Sequence, residues 1–294
     1  MRVRSDMGQF ARKALISMVL LAGPVFPQAT GVPRARQLYE KTRYEDALAL
    51  LAGLATENGA VYSLMGECHY MLGDFGKASE ALERAVRLEP NNSEYHLWLG
   101  RAYGRRAETS TFFTAPGLAS KARDHFERAF ALNNSDLEAS GDLFEYYLEA
   151  PSFLGGGVSK AVALAEKTKN LDLAEYHYRL GRIADSKKEY KDAEEQFRRA
   201  MDLAPRQVGR VVDLANYLSR QGKYQESEAV FSLAEDIDPN NPKVMFERAK
   251  AYIQSKRNLD RARELLVRYL NSPLSPNDPS RREAEQLLKQ ARTS

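Results

Sequence analysis

The amino-acid sequence predicts an all-α protein, a solenoid of stacked helical hairpins, and three observations carry that expectation. The 294 residues favour good helix formers, with modest Gly 18 and Pro 12 and 28% charged residues, and lack the β-branched runs of buried parallel strands. The octets Glu94-Tyr95-His96-Leu97-Trp98-Leu99-Gly100-Arg101 and Glu175-Tyr176-His177-Tyr178-Arg179-Leu180-Gly181-Arg182 share six identities. A helix-then-proline pattern, Ala193, Phe197, Ala200 and Pro205, returns 34 residues later as Ser227, Phe231, Ala234 and Pro239. Self-similarity at such a period is the mark of a repeat array.

The same pattern occurs at Ala78, Leu82, Ala85 and Pro90, and again at Ala122, Phe126 and Ala129, with Asn134 in the proline slot. With Leu99-Gly100-Arg101-Ala102-Tyr103 in a first half, this 34-residue unit resembles the tetratricopeptide repeat (TPR). The resemblance covers residues 31–271. Second-helix small residues at Ala47, Ala78, Ala122, Ala161, Ala193, Ser227 and Ala262 mark seven units. They lie near 31–58, 59–92, 93–136, 137–173, 174–207, 208–241 and 242–276, followed by a capping helix over 278–291. The resemblance implies a right-handed α-solenoid whose first helices line a concave groove. The fourth unit departs most, with Phe144 where a small residue is expected.

Each unit is read as two antiparallel helices crossing at Gly66, Gly100, Gly181 and Ala215, where a larger side chain would force the axes apart. Phe126, Phe197 and Phe231 are expected to fill the space between successive units. Pro90, Pro205 and Pro239 should end second helices. In the cap, Pro279 is expected at the first helical position, Leu287 and Leu288 inward, and Arg281, Arg282 and Lys289 in water.

Regular spacing fails twice. The step from Ala78 to Ala122 is 44 residues and that from Ala122 to Ala161 is 39. The extra length falls within Gly104 to Lys121 and around Ala150 to Gly157, each between the two helices of its unit, so both insertions should emerge on one edge. The run Glu149 to Gly156 is similar to a segment of exported bacterial TPR proteins. Phe112, Phe113, Phe153 and Leu154 then read two ways: as an exposed contact site, or as apolar groups tucked back onto the helices.

The first 29 residues have the layout of a secretory signal peptide: Arg2, Arg4, Arg12 and Lys13, then an apolar run from Ala14 to Gly23, Pro24, Pro27 and a small Ala29. The alternative is an uncleaved amphiphilic anchor. Cleavage would leave a periplasmic or secreted chain with no integral membrane span. The whole chain holds 43 basic and 40 acidic residues, and residues 1–29 hold four of the basic and one of the acidic, so the remainder is formally neutral. That balance speaks against non-specific nucleic-acid binding. Cys68 is the single cysteine, read as a small buried hydrophobe.

No catalytic constellation stands out, and neither enzyme activity, cofactor nor metal is expected. Of His69, His96, His125 and His177, none pair at helical metal spacing. Gly155 to Lys160 has the wrong order for a phosphate loop and reads as a flexible turn. Acidic pairs such as Glu194 and Glu195 read as solvated helix faces. The expected function is a protein-interaction scaffold receiving a protein or peptide partner. The resemblance implies groove positions at Arg101, Arg105, Tyr178, Arg182, Asn216, Phe246 and Lys250, with Leu97 and Ile253 beside them. Recognition of a non-protein ligand such as a glycan by the aromatic loops, and an enzyme with an unrecognised site, are the alternatives.

Overall fold

The computed structural model describes residues 28–54 and 58–293 of the chain. Those residues form fifteen α-helices and no strand. They pair in order as seven antiparallel hairpins: α1 Gln28–Glu40 with α2 Tyr44–Ala52, α3 Gly59–Met71 with α4 Phe75–Leu88, α5 Ser93–Glu108 with α6 Ala115–Leu132, and α7 Leu137–Glu149 with α8 Val158–Thr168. Then come α9 Leu173–Ser186 with α10 Tyr190–Leu203, α11 Val208–Arg220 with α12 Tyr224–Ile237, α13 Pro242–Gln254 with α14 Leu259–Leu270, and a capping helix α15 Arg281–Thr293. The chain is thus an α-solenoid with the seven units expected. The signal-peptide reading falls almost wholly outside the described residues, with α1 beginning at Gln28.

Local chemistry explains where the helices start. Asn58, Asn92, Asp136, Asp172 and Asn241 each precede a first helix, and each side chain accepts backbone N–H bonds from the first turn. Second helices lack such caps and follow a tight turn instead. In five units that turn places a residue in the left-handed region: Thr42, Gly73, Lys188, Gly222 and Lys256, the last followed by Asn258. The third unit does without it, and the fourth places Gly155 there within its longer inserted turn.

The crossing glycines are confirmed. A Cβ at Gly100 would stand 2.6 Å from the Phe126 ring, one at Gly181 3.1 Å from Phe197, and one at Gly66 closer still to Leu82. Each ring faces both ways: Phe197 lies 4.8 Å from Tyr217 of the next unit and Phe126 6.4 Å from Tyr146, measured between ring centroids. Phe231 is fully buried against Val211, Ala215 and Val244. Phe144 is 1% exposed, the large side chain of the irregular unit lying under the Arg179 guanidinium.

Three expectations need correction. The cap begins at Arg281, two residues after Pro279, because Ser280 and Glu283 form a reciprocal capping box that sets the first turn there. The first insertion is absorbed mainly by longer helices, 16 residues in α5 and 18 in α6, leaving a short loop at 109–114. The second is a close-packed turn rather than a flexible one. A Cβ at Gly156 would strike the Ala150 carbonyl, the Gly157 N–H donates to Tyr147 O at 2.7 Å, and Gly155 is left-handed.

Candidate functional site

The concave face is built from first helices, and its charged side chains are mostly engaged with neighbouring units. Arg101 of α5 donates to Asp142 at 2.5 Å and to Glu138 at 2.7 Å, both on α7. From the other side, Arg182 of α9 donates to Glu145 at 2.6 Å and Glu149 at 3.2 Å. Glu138, Asp142, Glu145 and Glu149 follow helical spacing, so α7 presents one acidic stripe clamped by an arginine from each neighbour. Similar links tie Arg210 to Glu175, Arg220 to Asp185, and Asn216 to Glu247. The recurring arginines therefore hold units together rather than standing free.

Other predicted groove residues divide. Phe246, Leu97 and Ile253 are 4%, 3% and 2% exposed, so the groove assignment fails for them; the Phe246 ring lies tilted against Tyr269 inside the last hairpin. Tyr178 is half-buried beneath the Arg210 guanidinium, 4.3 Å from its ring centre, and its hydroxyl accepts from Arg182. Lys250 stays 40% exposed, 3.8 Å from Glu247. Arg105 is also accessible: its side chain is 42% exposed and its ion pair is with the more exposed Glu108 one turn on, a pair worth little in water.

Arg105 also lies over the Phe75 ring, and Arg101 over Trp98, at 5.2 and 4.9 Å. Tyr70 meets Phe75 and Trp98 edge to face, each at 5.4 Å, making a panel of three rings under two guanidinium groups. This panel is one wall of a cleft of about 730 Å³. The opposite wall is the C-terminal segment Pro276 to Gln286, so the two ends of the solenoid approach each other. A second cleft of about 430 Å³ shares Tyr70, Arg101 and Arg105 and runs outward between α5, α6 and the turn at Ala150, Pro151 and Leu154.

The loop aromatics are fully presented. Phe112, Phe113 and Phe153 are 86%, 91% and 79% exposed, which excludes the tucked-back reading for all three. Leu154 is half-buried, and its carbonyl accepts from Arg123 at 3.0 Å and from the Tyr146 hydroxyl at 2.9 Å.

Several buried polar groups were not visible in the sequence. Arg179 has no exposed surface and donates to Glu175 at 2.8 Å and Ser140 at 2.7 Å. Glu67, 1% exposed, pairs with Arg36 of the first unit, and Arg248 with Glu228 and Glu235. Glu194 is not a free surface carboxylate: Lys223 and Arg198 hold it below the usual carboxylate range although burial opposes them. His96 and His125, distant in sequence, meet Nδ1 to Nδ1 at 2.8 Å, and His96 Nε2 donates to Pro90 O at 3.1 Å. That donation leaves His96 Nδ1 an acceptor, so His125 Nδ1–H must be the donor. Desolvation, then the neighbouring ring, lowers His125 to about 4. His177 instead donates to Gln196 at 2.7 Å. Cys68 is fully buried, and desolvation pushes its thiol up to about 12. Among the described residues no cluster of three metal-ligating side chains occurs, and no helix is long and apolar enough to cross a membrane.

Three segments match family models described as tetratricopeptide repeat: residues 38–101, 174–207 and 212–279. Residues 102–173, which hold both insertions, lie between the matches. A TPR repeat-containing protein of Methanocaldococcus jannaschii is 28% identical over 179 residues, 58% of this chain and 30% of its own length. Human intraflagellar transport protein 70B is 28% identical over 148 residues, 47% of this chain and 22% of its own. The chain thus spans less than a third of the length of these curated relatives. Among solved structures, a tetratricopeptide repeat protein from Parabacteroides merdae superposes with TM-score 0.58 at 14% identity, covering 90% of this chain and 98% of that one. A thermophilic TPR protein of Thermus thermophilus gives 0.52 at 20% identity over 65% and 98%. At these identities the likeness is one of fold.

Proposed function

Because this chain is a tetratricopeptide repeat protein, we propose that it is a non-catalytic interaction scaffold of the cell envelope or secreted fraction, receiving a protein or peptide partner in its concave face. Proteins of this repeat class generally act as protein-interaction scaffolds. The observation that carries the reading here is the ring panel of Tyr70, Phe75 and Trp98 beside the accessible Arg105, in a cleft wide enough for an extended segment. Aromatic rings with an adjacent guanidinium are typical anchors of protein recognition. The export half rests on the basic and apolar pattern of residues 1–29.

Two measurements test the reading. Crosslinking in native envelope should give a partner whose yield drops at least tenfold in Trp98→Ala with Arg105→Glu, while helicity by circular dichroism is unchanged. Retention by that double variant would remove the groove assignment. N-terminal sequencing of protein recovered from envelope or medium should begin near Thr30; a cytoplasmic product starting at Met1 would end the localisation claim. A glycan-binding reading is favoured by the exposed loop phenylalanines, but residues 109–120 and 150–159 carry no amide or charged side chain of their own to hold sugar hydroxyls.

A further inference from the structure

Every other exposed large apolar side chain among the described residues is at most 49% exposed, so Phe112, Phe113 and Phe153 stand apart. All three sit in the two inserted connections, on the edge where first helices turn into second helices. Residues 109–120 and 150–159 contain no Asp, Glu, Lys, Arg or His, in a chain that is 28% charged overall. At that frequency, stretches of twelve and ten residues would together carry about six charges.

Part of the backbone of both tips is tied back to the protein. Thr114 and Ala115 N–H donate to Thr111 O at 3.0 and 2.9 Å, Ser110 N–H to Ala107 O at 3.2 Å, and the Thr109 hydroxyl caps Arg105 O at 3.1 Å. In the second tip Pro151 has no N–H, Leu154 and Gly155 donate back to Pro151 and Ser152 at 2.9 Å, and Leu154 O is doubly occupied. Water is therefore not required as a partner for these groups.

From these features we propose that the two inserted loops form a membrane-docking edge, dipping the three phenylalanines into the interfacial region of a phospholipid bilayer. The solenoid then stands on that edge with its opposite turns in water. Attachment is apolar rather than electrostatic, since residues 109–120 and 150–159 carry no charged side chain and the nearby Arg123 and Lys160 are engaged on Leu154 O and Gly155 O from the helices behind. It is independent of the partner proposed for the concave face.

Full-length protein labelled with an environment-sensitive fluorophore at Ser152→Cys reads the site directly, because Cys68 is fully buried and does not compete. A label at Asn240→Cys, in the turn between α12 and α13 on the opposite edge, is the control. A local probe is needed because the apolar run at residues 14–23 would by itself draw the chain to lipid. With phosphatidylcholine vesicles the label at residue 152 should shift to the blue and that at 240 should not. Adding phosphatidylglycerol or high salt should change little. Phe112→Ser, Phe113→Ser and Phe153→Ser together should weaken the response at least tenfold with unchanged circular dichroism. The pair Phe112→Ser and Phe113→Ser should weaken it in part, which guards against misfolding of the triple variant. No shift at residue 152 on either lipid overturns the proposal, as does a shift that survives the triple substitution. A residue 152 shielded by a protein partner but silent on vesicles also overturns it, and makes the edge a protein surface.

Discussion

His125 shows how a residue ordinary in the sequence acquires a property from its neighbours. It donates to His96, which is itself committed to Pro90, so the bond needs a neutral His96, while desolvation and the adjoining ring disfavour a charge on His125. Folded His125 titrates near 4 while the unfolded ring keeps a pKa near 6.5. Above about 6.5 both states are neutral and the contribution is fully present. Between about 6.5 and 4 the unfolded chain takes a proton that the native ring refuses, so stability is lost as pH falls. Urea melts at a series of pH values should show this loss in the wild type and a flatter profile in His125→Asn, whose amide still donates to His96. Equal slopes would mean that the ring pair carries no linkage. Arg101 has a comparable lesson. Its side chain is 17% exposed and held by two carboxylates, so Arg101→Glu would set like charges against Asp142 and Glu138. We expect a loss of about 3 kcal/mol or more, seen as a lowered denaturant midpoint. An unchanged midpoint would return Arg101 to the role of a free groove cation.

At the scale of the element, what the sequence disclosed and what it hid have different causes. Hairpin order, helix ends before Pro90, Pro205 and Pro239, and the crossings at Gly66, Gly100 and Gly181 follow from spacing alone, because packing dictates residue size at fixed intervals. Phe246 and the arginine links were misread for another reason. A helix has several faces, and which of them looks into the groove depends on how units superpose, which a 34-residue period does not state. The left-handed turn residue was equally hidden at Lys188 and Lys256, where no glycine announces it. The crossings themselves differ in tightness. The Phe126 ring leaves only 2.6 Å for a new Cβ at Gly100, whereas Phe197 leaves 3.1 Å at Gly181. Alanine gains about 1 kcal/mol over glycine in a helix interior, and overpacking costs about 1–3 kcal/mol. Gly181→Ala should therefore be close to neutral, Gly100→Ala destabilising, and Gly181→Leu more so than Gly181→Ala. Thermal melts of the three variants check the ranking, and a stabilised Gly100→Ala would show that Phe126 can retreat.

Over the whole molecule, cohesion comes from each unit gripping the next. The buried clusters continue across unit boundaries, and polar links such as Arg36 with Glu67 and Arg210 with Glu175 repeat the connection on the concave side. The wall that the C-terminal segment gives to the larger cleft had no signal in the repeat pattern, since it depends on curvature accumulated over all seven hairpins. Solenoids of this kind generally tolerate the removal of an internal repeat, since each contacts only its neighbours. The acidic stripe of α7 argues otherwise here. It lies between Arg101 and Arg182, which occupy the same slot in their own units and reach toward it from opposite sides. Excising residues 137–173 would seat α5 beside α9 and bring those two guanidinium groups face to face, both orphaned. Removing 208–241 creates no such collision, so its product should keep the higher melting temperature of the two deletions. The fourth unit, least like its siblings in sequence, is then the one the array can least do without: the acidic wedge between two arginines, and fixed in its place in the order.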